Sequence, residues 1–291
     1  MYHTEGLDAP ILSPHERFLK LVRDYEISEP MAMHLRQLEG FDIVLIGDDS
    51  GSMNTPVAPT HSSAPFRTRW DELKSQVSVI AQLATTLDSD GIDVYFLNSS
   101  GMNNVTSPHQ VEVLFNRRPS GVTPLTKVFN QVVADKHDVL TGTEACKKLL
   151  VIVITDGQPS DEYGHSDINS FKRALKNKPD NVFVSIVACT DDDRTMSYLN
   201  HWDDTINNLD VVDDYVSERQ EIRQAQGSGF GFTYGDYIVK ILCGSIVKEL
   251  DELDKRTGKG SKVMVLMVAT LAIVIAIGAR SLIQTFISNL G

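Results

Sequence analysis

Three segments of this chain are almost unbroken runs of apolar and β-branched residues: FDIVLIG at 41–47, KKLLVIVITDG at 147–157 and VFVSIVACT at 182–190. A strand that is apolar at successive positions has no face left for water, so it must lie in a sheet covered on both sides. Around these runs lie stretches with the period of an amphipathic helix: RWDELKSQVSVIAQLATTLD (69–88), PLTKVFNQVVADKH (124–137), SDINSFKRALKN (166–177) and YGDYIVKILCGSIVKELDELD (234–254). Two shorter runs, IDVYFLN (92–98) and VEVLFN (111–116), read as further strands. The alternation predicts an α/β fold, a doubly wound and mostly parallel sheet flanked by helices. Such sheets bind ligands beyond the C-terminal ends of their strands, so the loops there are where chemistry is sought.

The chain ends differently from this pattern. From Val263 to Ala279 it reads VMVLMVATLAIVIAIGA, with no charge and Thr270 as the one hydroxyl. At 1.5 Å per residue this helix is about 26 Å long, and Lys262 and Arg280 can reach the interfaces of a ~30 Å hydrocarbon layer. Residues 263–280 are therefore expected to form a transmembrane helix, with Val263, Leu266, Leu271, Ile275 and Ala279 among its lipid-embedded positions. Lys255, Arg256, Lys259 and Lys262 precede it and only Arg280 follows, which puts the larger N-terminal part on the cytoplasmic side. With no apolar signal core at the N-terminus, the expectation is a single-pass, tail-anchored protein of an organelle or virion membrane. The organisation expected is a helical, polar extension (1–40), the α/β domain (41–254), a basic juxtamembrane linker (255–262), the anchor (263–280) and a short tail (281–291).

Net charge is −12, from 27 basic and 39 acidic residues, and no basic patch emerges, so a nucleic-acid partner is not expected. A nucleotide is not expected either, because no phosphate-binding G-x-x-x-x-G-K-[ST] motif occurs. Cys146, Cys189 and Cys243 are few and widely spaced, which fits small buried apolar residues in a reducing compartment. The eight histidines are scattered without metal spacing. Asp191, Asp192 and Asp193, with Asp203, Asp204, Asp213 and Asp214, are read as a solvated acidic face. GSGFGF (227–232) reads as a flexible joint.

Directly after the first strand comes Asp48-Asp49-Ser50-Gly51-Ser52, a carboxylate and two hydroxyls at alternate positions on one turn. Hard oxygen donors of this kind suit Mg²⁺ or Mn²⁺. Ser120-Gly121-Val122-Thr123-Pro124-Leu125 enters a helix, and Thr155-Asp156-Gly157 ends the most apolar strand. Asp49 is read as a solvated turn residue. Neither Asp48 nor Asp49 reads as a phosphatase nucleophile, since Ser50 stands where a second acid is needed. No nucleophile and base pair emerges, so an enzyme is not expected.

These segments, D-x-S-x-S, a TPL threonine loop and TDG in that order, resemble the metal-ion-dependent adhesion site of von Willebrand factor A domains. The resemblance runs from about Phe41 to Leu253, roughly three quarters of the chain. It implies that Ser50 and Ser52 are direct ligands of a Mg²⁺ or Mn²⁺ ion and that Thr123 joins them in the high-affinity arrangement. Asp48 and Asp156 would act largely through coordinated water. A cation contacted by neutral hydroxyls and water stays under-neutralised and attracts an outside carboxylate. The function expected is thus a membrane-tethered protein-binding module whose cation coordinates an Asp or Glu of a protein partner. The alternative is a structural component linking a membrane to a protein shell, as in a membrane-containing virus particle, with the domain as a packing unit. In related domains the last helix shifts when the metal site changes coordination, which would couple the site to the anchor.

Overall fold

The computed structural model describes residues 12–57, 67–142, 147–190, 196–199 and 202–255. The expected anchor at 263–280, Cys146 and Asp191 to Asp193 lie outside them. Among the described residues no helix is long and apolar enough to cross a membrane.

The elements in order are α1 (Pro14–Asp24), α2 (Glu29–His34), β1 (Phe41–Gly47), α3 (Arg69–Leu87), β2 (Ile92–Phe96), β3 (Met102–Val105), α4 (Pro108–Leu114), α5 (Leu125–Asp135), α6 (His137–Thr141), β4 (Lys148–Thr155), α7 (Ile168–Lys176), β5 (Val182–Ala188), β6 (Leu209–Val212), α8 (Tyr215–Gln226), α9 (Tyr234–Cys243) and α10 (Lys248–Asp251). The strands form one six-stranded sheet in the order β3-β2-β1-β4-β5-β6. Every pairing is parallel except the edge pair β2–β3. The chain leaves β1 toward one edge and β4 toward the other, so the sheet's topological switch point lies between these two strands.

Alternate side chains of the central strands enter two separate cores. Ile43 and Leu45 of β1 join Leu150, Ile152 and Ile154 of β4 under α3 and α9. Val44 and Ile46 join Leu149, Val151 and Val153 under α5 and α7. This two-sided burial is the physical reason those strands lack polar alternation. Residues before β1 join the first core: Met31, Ala32, Leu35 and Leu38 are buried there. Thr233 Oγ1 donates to the Glu26 carbonyl (2.9 Å) and the Ser28 amide donates to Asp236 Oδ1 (2.7 Å), tying this arm to the start of α9.

The structure corrects four local expectations. The first four residues of VEVLFN are helical, because Ser107 and Gln110 close a capping box with Pro108 in the first turn, and Val111 and Leu114 bury one helical face. Met102–Val105 and Leu209–Val212 are strands too short to announce themselves in the sequence. The final helical stretch is two helices, broken after Cys243. A Cβ on Gly244 would lie 1.8 Å from Asp210 Oδ2, so the chain is pressed against β6 at the break. The GSGFGF segment is anchored: Phe232 is 2% exposed and Phe230 packs on the first core.

Beside that break sits a buried ionic cluster. Lys240 of α9, fully buried, donates to Glu218 of α8 (2.6 Å) and to Asp254 (2.9 Å). Burial works against the Lys240 charge, yet Glu218, Asp210 and Asp254 outweigh it and hold the ammonium protonated. Burial also raises Asp210, to about 7.

Candidate metal centre

β1 and β4 are in register, with Gly47 beside Ile154, and the Asp48 amide continues the ladder to the Ile154 carbonyl at 2.9 Å. The first residue beyond β1 is thereby placed next to the last residue of β4. Thr155 Oγ1 donates to Asp48 Oδ2 at 2.6 Å, and the Ser50 amide donates to Asp48 Oδ1 at 2.8 Å. Asp48 has no solvent exposure, and this burial pushes its carboxyl up to about 6 despite both hydrogen bonds.

Beyond Asp48 the turn brings Ser50 and Ser52 side by side, their hydroxyl oxygens 3.0 Å apart. Ser52 Oγ donates across to Asp156 Oδ1 at 2.7 Å, joining the β1 and β4 loops through side chains. The second oxygen of Asp156 accepts from Arg69 Nη1 at 2.8 Å, while Arg69 Nη2 donates to Thr190 Oγ1 at 2.7 Å. Arg69, the first residue of α3, has a side chain only 15% exposed. Its guanidinium fixes the Asp156 carboxylate and supplies a positive charge that the sequence reading missed.

Thr123 arrives from the third loop. Its amide donates to Ser160 Oγ (3.0 Å), and the Ser160 amide returns a bond to the Thr123 carbonyl (2.9 Å). The Thr123 hydroxyl oxygen lies 3.8 Å from where a Cβ on Gly157 would sit, beside Asp156. This loop is also sewn to the first: the Ser120 amide donates to the Asp49 carbonyl (2.7 Å), and the Gly51 amide to the Gly121 carbonyl (3.2 Å).

Asp49 is not the solvated turn residue expected; it is 2% exposed. Its Oδ1 accepts from the Asn98 amide (2.8 Å) and Asn98 Nδ2 (3.1 Å), and its Oδ2 accepts from Ser99 Oγ. Asn98 Nδ2 also donates to the Val122 carbonyl at 2.8 Å. Asp49 and Asn98 thus clamp the ends of β1 and β2 to the threonine loop. Gly121 (φ +109°) makes room for the clamp, since a Cβ there would lie 2.4 Å from Asn98 Oδ1.

The donor chemistry fits a small hard cation. A separation of 3.0 Å between the two serine oxygens matches adjacent vertices of an octahedron with bonds of about 2.1 Å. Ser52 is exposed while Ser50, Asp48 and Asp156 are buried, so an ion on this rim could keep water or an external ligand on its outer side. Among the described residues no three His, Cys, Asp or Glu side chains form a metal-holding group, so any site here depends on hydroxyl oxygens.

No protein-family model and no curated protein sequence matches the chain. Among solved structures it is similar to manganese-loaded Plasmodium vivax TRAP protein, at 18% identity and TM-score 0.37, over 62% of this chain and 71% of that one. It is also similar to the pilus adhesin SpaC from Lactobacillus rhamnosus GG, at 13% identity and TM-score 0.40, over 73% of this chain and 30% of that one. Matches at this level assign neither family nor ligand. The α/β architecture rests on the strand order itself.

Proposed function

We propose that this protein is a metal-dependent protein-binding module, tethered to a membrane by residues 263–280. A Mg²⁺ or Mn²⁺ ion is held by the hydroxyls of Ser50, Ser52 and Thr123, with Asp48 and Asp156 behind them, and it coordinates an acidic side chain of a partner. The observation that carries the reading is the convergence of three loops at the switch point, with two serine hydroxyls 3.0 Å apart above a fully buried aspartate. The bound ion would supply Lewis acidity toward a carboxylate. The chain's own residues do the positioning: Thr155 and the Ser50 amide orient Asp48, Arg69 orients Asp156, and the Asp49–Asn98 clamp sets the height of the Thr123 loop.

Arg69 refines the charge balance. It offsets one of the two carboxylates behind the site, so an incoming divalent ion is less neutralised by the protein and keeps more attraction for an external anion. The test is calorimetric titration of the full chain with MgCl₂ and MnCl₂, beside Ser52→Ala and Asp156→Asn. Saturable binding that either substitution weakens at least tenfold supports the reading. Equal heats for all three proteins would remove it. Capture of a protein partner from detergent extract that persists in chelator would favour instead the domain as a packing unit in a membrane-linked shell.

A further inference from the structure

Residues 244–255 follow α9 and close over β6 beside α8. Leu250 and Leu253 are fully buried there. Polar contacts fasten the segment as well: Ser185 Oγ donates to Ser245 Oγ (3.4 Å), Gln226 Nε2 to the Leu253 carbonyl (2.8 Å) and Lys240 to Asp254 (2.9 Å). Lys255 pairs with Asp203 (3.2 Å) and Asp251 (3.3 Å).

Beneath this cover lies an unsatisfied carboxyl group. Asp210 of β6 is 2% exposed, and its Oδ2, buried without a hydrogen-bond partner, lies against Gly244. A buried acceptor left unpaired is costly and a buried charge more so, which makes the retention of an acid here an observation to be explained. The charged groups facing it are Lys240 of α9, Glu218 of α8, Asp251 of α10 and Asp254, one cation against three carboxylates. Lys240 spends its ion pairs on Glu218 and Asp254; among the described residues none within 4.0 Å reaches Asp210. Burial therefore prevails over the attraction of Lys240, and the three acids add to it, so that the carboxyl stands at about 7. Ionised in place, Asp210 has neither a donor nor a counter-ion in contact. Because Gly244 has no side chain and sits directly on Oδ2, water reaches the carboxylate when this segment lifts.

We propose that residues 244–255 form a proton-operated latch, closed over β6 while Asp210 is neutral and lifted when it ionises. The latch invokes neither the metal site nor the membrane anchor, and its test is independent of both. An acid raised in the closed state holds its proton more tightly there, so its support for closure is complete below the ordinary 3.8 and is lost as pH rises through about 7. Between pH 5 and pH 8 the closing equilibrium falls about a hundredfold. Glu221 of α8, raised to about 7 by burial and by Asp213, Glu218 and Asp254, is the rival group in this range.

The experiment is amide hydrogen exchange of the full chain in mild detergent at pH 5, 6, 7 and 8, read by mass spectrometry. Each rate is divided by the intrinsic chemical rate at that pH, which leaves protection factors. The amides of Val247, Leu250, Leu253 and Lys255 are hydrogen-bonded in the closed segment and report its opening. Their protection should fall about a hundredfold from pH 5 to pH 8 while that of β4 changes less than about threefold. Asp210→Asn should hold the segment within about threefold across the range, and Glu221→Gln should leave the fall in place. A flat profile in the parent overturns the latch without recourse to any variant. An equal fall in β4 also overturns it, since the loss is then global. A fall that persists in Asp210→Asn, or that vanishes in Glu221→Gln, overturns the assignment to Asp210.

Discussion

Replacing Asp48 with asparagine should stabilise the metal-free protein while abolishing its response to metal. The folded carboxyl titrates at about 6 against an ordinary 3.8, because burial disfavours its charge. An acid raised in this way binds its proton more tightly in the folded state. Its full contribution is present below pH 3.8 and is lost as pH rises through about 6. At about 1.4 kcal/mol per tenfold change in proton affinity, ionised Asp48 costs the metal-free fold about 3 kcal/mol at neutral pH. Asparagine carries no charge, and its amide oxygen can accept from the Ser50 amide. The Thr155 hydroxyl has the Gly157 carbonyl within 3.5 Å as another acceptor, so it can turn its hydrogen there and accept one of the two N–H groups of the new amide. The assay is urea denaturation of the full chain in mild detergent at pH 4 and pH 7, in chelator and in saturating Mg²⁺. In chelator the two proteins should be nearly equal at pH 4, with Asp48→Asn ahead by up to about 3 kcal/mol at pH 7. With Mg²⁺ at about a hundred times its Kd, the parent gains about 2.7 kcal/mol and the variant gains nothing. A variant less stable than the parent at pH 7 in chelator would refute the desolvation argument. Equal gains from Mg²⁺ would refute the site.

Further consequences are open to measurement. Asp49→Ala strands the Asn98 and Ser99 donors and should cost about 2–4 kcal/mol in urea denaturation, with weaker Mg²⁺ binding although Asp49 is no ligand. Gly121→Ala forces a Cβ to 2.4 Å from Asn98 Oδ1 and should lower Mg²⁺ affinity by displacing the Thr123 loop; unchanged calorimetry would contradict the clamp. Lys240→Met leaves Glu218 buried without its cation and should cost about 3–5 kcal/mol, much of it restored in Lys240→Met/Glu218→Gln, as thermal melts would reveal. The full chain should float with liposomes while a chain ending at residue 254 sediments; co-flotation of both would exclude residues 263–280 as the tether.

The sheet and the loops bearing Asp48, Ser50, Ser52, Thr123 and Asp156 were legible because apolar runs mark central strands and a side-chain pattern marks each turn. VEVLFN misled because four apolar residues in six satisfy a strand as well as a helix turn, and the capping pair Ser107 and Gln110 decides between them. Asp49 and Arg69 were not legible for a different reason. Nothing local distinguishes a clamped aspartate from a solvated one, and Arg69 meets Asp156 from 87 residues away only because α3 starts beside the end of β4. Such pairings belong to topology, which a linear pattern does not carry. The break at Gly244 likewise depends on a carboxylate from β6.

The pairing of Gly47 with Ile154 has a bearing on how this protein can change. Sliding β4 by a single position would exchange its two aliphatic faces and carry Thr155 and Asp156 away from their present neighbours. Mutation can therefore revise the surrounding loops, and with them the choice of partner, while the spacing of the two acids is guarded by the oily interior on either side of the sheet.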